Sequence, residues 1–182
     1  MEILLIRHGH AVEEAPGLGD AGRWLSAKGR KVTRKVARWL GKSSKRRPAV
    51  IWTSPLVRAV QTAEIVAAGV DYPGEVKPCA ELSPGRDPGD LIKLLASASA
   101  DSPLALVGHE PSLSLIAGAL LGDIGFTGFK KSAVMGLEWA DGKGALRFVL
   151  DPADMKARKH LKVPTSGSGS GSGPVAGDPD AG

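Results

Sequence analysis

Three short apolar runs most constrain how this chain can fold. Ile3–Ile6, Ala49–Trp52 and Leu104–Val107 each span four residues without a polar interruption. That is strand length, and an unbroken apolar strand is one covered on both faces. Each run is followed, directly or after a loop, by a stretch with helical spacing. Val32, Val36, Trp39 and Leu40 mark a helix over 28–40, and 55–68 reads as a second helix with Pro55 at its first position. Pro111 opens a third, reaching about Leu121. Val76–Lys77 reads as a short extra strand, and Asp87–Pro88 begins a helix through Leu91, Ile92, Leu94 and Leu95. Ala133–Trp139 and Ala145–Leu150 read as two strands joined through Ala-Asp-Gly-Lys-Gly, a hairpin signal. Strands alternating with helices predict an α/β fold, a single domain whose mainly parallel sheet carries helices on both faces.

The length of 182 residues suits one substantial core. Residues 164–182, PTSGSGSGSGPVAGDPDAG, have too little apolar content to build one. The chain therefore divides into a folded domain over 1–163 and a flexible Gly/Ser/Pro-rich tail over 164–182. The start lacks a basic segment and a long apolar stretch, and LSLIAGALLG at 113–122 is too short to span a bilayer. Cys79 is the only cysteine, so there is no internal disulfide, and a reducing cytoplasm is the expected location. The tail holds two Asp and no Lys or Arg, which leaves a net charge of +7 on residues 1–163. Such a surface favours anionic partners. The densest basic run, KSSKRR at 42–47, has no interleaved aromatics for base stacking, so no nucleic-acid partner is expected.

Three stretches look chemical and fail on context. GLGDAG at 17–22 has the letters of a dinucleotide fingerprint but follows no strand, so it reads as a flexible loop. CAELSPGR at 79–86 resembles a cysteine-phosphatase loop with one residue too many. Pro84 removes an amide from it and Glu81 would repel a phosphate, so Cys79 reads as structural. His8 and His10 form an H-x-H pair without a third ligand at a recognisable spacing, so no metal and no cofactor are expected.

What remains is a set of charged residues where apolar runs end. Arg7 and His8 follow Ile6, His109 follows the run Leu104–Val107, and Arg58 falls in the first turn of the helix after Trp52. In open α/β sheets ligands bind at the carboxyl ends of strands, and helix N-termini there add unpaired amides that favour phosphate. Two arginines and two histidines converging at that edge describe an anion site. A neutral imidazole can attack phosphorus, arginine binds phosphate oxygens as a fork, and a second histidine, protonated beside the anion, can steady the transferring group.

LIRHG, SPLVRAVQTAE and VGHEPSL, in that order, resemble the signature blocks of the histidine phosphatase superfamily, and the likeness runs from residue 1 to about 160. The compact size, ELSP at 81–84 and KKSAVMGLEW resemble its small phosphohistidine phosphatase branch, the SixA-like proteins. The resemblance implies a phosphoglycerate-mutase-like fold with at most a small cap. It also implies His8 as nucleophile, with Arg7, Arg58 and His109 on the phosphoryl oxygens. Larger members carry a glutamate after an L-x-E pattern that protonates the departing alcohol. Here Leu82 is followed by Ser83 and Pro84, so Glu81 and Asp87 are the nearest substitutes, with solvation and helix capping as their competing roles.

A site without a firm acid suits a leaving imidazole better than a leaving alkoxide. The expected activity is therefore a phosphatase acting on protein phosphohistidine, with a phosphorylated protein as partner. The alternatives are a hydrolase of small phosphate monoesters and a non-catalytic phospho-ligand binding module. The 69–103 interval is largely consumed by a strand and a helix, which leaves little for the substrate-enclosing cap of a mutase.

Overall fold

The computed structural model describes residues 1–14, 16–97, 103–122, 126, 128–140 and 142–159. The Gly/Ser/Pro-rich tail read over 164–182 lies outside them. In chain order the elements are β1 (Glu2–Arg7), α1 (Gly19–Gly22), α2 (Ala27–Gly41), β2 (Val50–Thr53), α3 (Val57–Gly69), β3 (Val76–Pro78), α4 (Pro88–Ser97), β4 (Leu104–Gly108), α5 (Ser112–Leu121), β5 (Val134–Ala140), β6 (Lys143–Asp151) and β7 (Lys156–Arg158).

These strands form one sheet in the order β3-β2-β4-β1-β5-β6-β7. The α/β expectation holds, with one refinement: the sheet is mixed. From β3 through β2 and β4 to β1 the pairing is parallel, while β5, β6 and β7 add antiparallel strands on the other side of β1. Alternation along β1 explains why its whole apolar run is buried. Ile3 and Leu5 join Leu91 and Leu95 of α4 and Leu113 and Ile116 of α5 in one core cluster. Leu4 and Ile6 point the other way, into a second cluster with Val36 and Leu40 of α2 and Ala63 and Val66 of α3.

Local chemistry sets the helix positions. Ser26 caps α2, its hydroxyl accepting from the Gly29 amide at 3.1 Å. A methyl group added at Gly29 would lie 2.0 Å from the His10 carbonyl oxygen, so this helix start can approach the end of β1 only because the residue is glycine. The second helix begins later than its sequence suggests. Pro55 lies in the turn, Leu56 is still extended (φ −69°, ψ 136°), and α3 starts at Val57. Pro111 likewise caps α5 rather than opening it. After α3 the described chain makes β3, a short 3₁₀ turn at Ala80–Leu82 and α4. Among the described residues, none of the helices is long and apolar enough to cross a membrane.

Candidate active site

The parallel register places the chemistry. Ile6 pairs with Val107 and Arg7 with Gly108, while Thr53 of β2 also pairs with Val107. Three strands therefore end level, and the residues just beyond them, His8, His109 and Ser54, meet at one edge. The structure brings all four expected residues there. The His8 and His109 rings lie with centroids 4.9 Å apart and planes at 53°. Arg58, in the first turn of α3, is 5% exposed, and His109 is 3% exposed.

His8 is held from several directions. Its amide donates to the Gly108 carbonyl at 3.0 Å, and its own carbonyl accepts from the Ser132 amide at 3.2 Å. Its Nδ1 lies 2.7 Å from the Gly9 carbonyl oxygen. A carbonyl can only accept, so Nδ1 carries the ring proton, and Nε2 is left with a free lone pair. Gly9 is fixed in turn by donating its amide to Thr62 Oγ1 at 3.0 Å. A methyl there would fall 2.7 Å from Thr33 Oγ1, which pairs with Ser132 Oγ behind the loop. The glycine of R-H-G is thus a packing requirement.

Burial pushes the His8 imidazole down to about 4; the Gly9 carbonyl bond works against this, and the charges of Arg58, Arg7 and Lys131 work with it. His109 is pushed down to about 3 by burial, by His8 and by Arg58, with Asp20 opposing. Both rings are therefore neutral near pH 7 without ligand. The positive charge expected on His109 is therefore absent from the site as it stands, and only a nearby anion would favour it. His109 Nε2 is hydrogen-bonded to the buried Ser54 hydroxyl at 2.8 Å, while its buried Nδ1 has no partner among the described residues. Arg7 donates from Nη1 to the Phe129 carbonyl, and its buried Nε also lacks a described partner. Burial lowers the Arg7 pKa, and the nearby Glu110 counteracts it.

The two substitute acids stand apart from this cluster in their bonding. Glu81 accepts from the Cys79 thiol at 3.1 Å. Burial and that carboxylate push the thiol up to about 11, as expected of a structural cysteine. Asp87 is exposed, and its side chain accepts from the Gly89 amide at 2.8 Å, a local turn at the start of α4. His10 bonds through Nδ1 to Ser26 Oγ at 2.9 Å, and no group of three potential metal ligands occurs among the described residues.

The residue that sequence reasoning missed is Asp20. GLGDAG is not simply a loop: Gly19–Gly22 forms α1, and this turn delivers Asp20 to Arg58. Arg58 Nη2 donates to Asp20 Oδ2 at 2.8 Å, and Nη1 donates to the Asp20 carbonyl at 2.6 Å. Arg23 donates to Oδ1 at 3.0 Å and anchors itself through Nε to the Val12 carbonyl at 2.8 Å. Bonds from Arg58 first, and also from Arg23, hold the Asp20 carboxyl below the usual carboxylate range. The one signal available was that Asp20 is the only acid in the 15–25 stretch.

Comparison with known proteins gives the chain's relatives. The sequence model of the histidine phosphatase superfamily (branch 1) matches residues 3–84. An uncharacterised protein of Picosynechococcus is 37% identical over 147 residues, covering 75% of this chain and 84% of that protein. The phosphohistidine phosphatase SixA of Escherichia coli is 27% identical over 165 residues, covering 88% of this chain and 100% of the relative. A solved structure of the protein histidine phosphatase SixA complexed with tungstate superposes with a TM-score of 0.78 at 26% identity, covering 86% of this chain and 100% of that one.

Proposed function

This chain belongs to the histidine phosphatase superfamily, in its SixA-like branch, and from that premise we propose that it dephosphorylates protein phosphohistidine through a phosphoryl group carried on His8. His8 Nε2 attacks phosphorus as the bond to the substrate's ring nitrogen breaks. The departing imidazole, protonated on its other nitrogen, leaves as a neutral ring. The phosphorylated His8 keeps its Nδ1 proton against the Gly9 carbonyl. Water then attacks phosphorus, the His8 Nε2–P bond breaks, and His8 returns to its neutral form while the water's proton leaves with inorganic phosphate. Arg7 and Arg58 bind the equatorial oxygens, and His109 bonds the transferring group.

The observation that carries the choice of substrate is the state of Asp20. Among the described residues it is the only carboxylate hydrogen-bonded to a member of the cluster, and two guanidiniums grip it. A carboxylate so held is a poor proton donor. An alkoxide would depart without help, whereas a protonated imidazole needs none. SixA, similar over most of its length, is named a phosphohistidine phosphatase, which supports the same reading.

The test is rapid quenching during turnover of a phosphohistidine protein. One equivalent of base-stable, acid-labile phosphate should appear on the enzyme and disappear in His8→Ala. Turnover should survive exhaustive chelation. Faster hydrolysis of alkyl phosphates than of phosphohistidine would transfer the reading to a monoester hydrolase. Binding without turnover of either substrate would leave a phospho-ligand module.

A further inference from the structure

A second cluster of cations lies at the other end of β1. Glu2, Ile3 and Leu4 of β1, Gly136 and Leu137 of β5 and Leu146 and Phe148 of β6 line a groove of about 380 Å³. Leu4 and Phe148 turn their side chains to the Trp39 side of the sheet, while those of Ile3, Leu137 and Leu146 pack on the opposite face. Four cations border it: Lys45 and Arg46 from the 3₁₀ turn Ser44–Arg46, Arg147 from β6, and Lys159. Glu2 is the one acid in the lining. At ~3.3 Å per strand residue, Glu2 lies about 20 Å from His8, too far for this groove to share the phosphoryl site.

Arg46 is set up to receive an acceptor. Its guanidinium carbon lies over the Trp39 ring, 3.7 Å from the centroid. Its Nε is buried with no hydrogen-bond partner among the described residues. Trp39 in turn meets Phe148 edge-on, with centroids 5.3 Å apart. Phe148 can lie there only because it faces Gly136: a methyl at that position would come 2.3 Å from the Phe148 ring. The guanidinium, the indole and the phenyl ring thus form a braced wall. A stacked arginine with its fork free is the posture that binds phosphate bidentately, and a buried donor left unpaired is costly until an acceptor arrives.

We propose that this groove is a binding site for a nucleoside di- or triphosphate. The ring of the ligand lies against Phe148 and Leu4, and its phosphates reach Arg46, Lys45 and Lys159, with Arg147 at the border paired to Glu138 at 3.2 Å. Three features favour this class over an acidic polypeptide. The volume is in the range of small-molecule pockets, roughly 300–1,000 Å³. The lining joins an apolar floor to a cationic border, matching a ligand with a flat apolar part and a charged part. With Arg147 paired to Glu138, Lys45, Arg46 and Lys159 still outnumber Glu2, and that excess matches a multiply charged anion rather than scattered carboxylates.

The test is calorimetric titration of the full chain with ATP while tungstate saturates the phosphoryl site. Binding with a dissociation constant below about 1 mM is expected, unaffected by tungstate. Arg46→Ala should weaken it by about tenfold or more while leaving phosphatase turnover unchanged. Because Arg46→Ala also removes the stack on Trp39, the paired variant Lys45→Glu/Arg147→Glu provides a second reading with the same expected loss. Displacement of ATP by tungstate would assign the binding to the phosphoryl site and overturn the proposal. Full affinity in both variants, tripolyphosphate binding as tightly as ATP, or binding of polyglutamate in place of ATP would each overturn it as well.

Discussion

The two neutral histidines should give the protein a steep and removable loss of stability in mild acid. An unfolded chain protonates its histidines near the ordinary 6.5, whereas His8 and His109 in the folded protein wait until about 4 and about 3. Between those limits the unfolded state binds more protons, so stability falls as pH falls. It is highest above 6.5, and the His8 part of the loss is complete once the pH has passed below about 4. At pH 4.5 each ring costs about 2.5 kcal/mol relative to pH 7.5, so together they cost roughly 5 kcal/mol, a large share of the 5–15 kcal/mol that holds an ordinary domain folded. Urea unfolding at pH 7.5 and 4.5 and constant ionic strength measures the drop. The comparison is with His8→Asn, whose amide takes the place of Nδ1 against the Gly9 carbonyl, and His109→Gln, whose amide takes the place of Nε2 against Ser54. Each should remove about half of the histidine-linked drop while leaving the part due to carboxylates. A drop of the same size in wild type and both variants would refute the claim that these rings are buried uncharged.

Arg58→Lys should cost about 10²-fold or more in turnover despite keeping its charge, because an ammonium cannot grip Asp20 and two phosphate oxygens at once; activity within about threefold of wild type in steady-state assays would place Arg58 outside the reacting centre. Asp20→Ala should lower turnover by about 10- to 100-fold by freeing the Arg58 guanidinium to swing, with little change in melting temperature, since the Asp20 side chain is 50% exposed; unchanged turnover would show that Asp20 does not position Arg58. Gly9→Ala should be poorly folded or inactive, because its methyl meets Thr33 Oγ1 at 2.7 Å; normal circular dichroism with full turnover would contradict that packing. Deleting 164–182 should leave turnover and melting temperature unchanged, and a fall of several degrees would mean the tail docks on the domain.

Legibility followed locality. The unbroken apolar runs announced strands buried on both faces, and the abrupt change to Arg7-His8 and Gly108-His109 announced where they end, because neighbouring residues alone produce both signals. Arg58 was readable because helical geometry ties it to the preceding strand. Asp20 was not, since its bond to Arg58 spans 38 residues and depends on a single turn of helix with no periodic pattern. The mixed sheet was legible only in part: the Ala-Asp-Gly-Lys-Gly signal announced the antiparallel β5–β6 pair, but not where that pair joins the sheet. Nothing within Val134–Ala140 says that its partner is β1 or that it runs antiparallel, as that follows from which sheet edge is open when the last strands arrive. Glu81 and Asp87 were credible acids by sequence proximity alone, and each is occupied with a neighbour of its own.

The central place of β1 has a consequence for how the protein comes into being. On a ribosome this strand is made well before its partners, with Ile3 beside Leu104 on one side and Glu2 beside Glu138 on the other. Pairing between such distant segments is slow, and an apolar strand waiting for them is open to aggregation. The wait also guards against error. A chain cut short before residue 134 lacks β5, which leaves one edge of β1 bare, and the Ser132 amide that donates to the His8 carbonyl loses its anchoring strand, so the His8 loop is set only once β5 is in place.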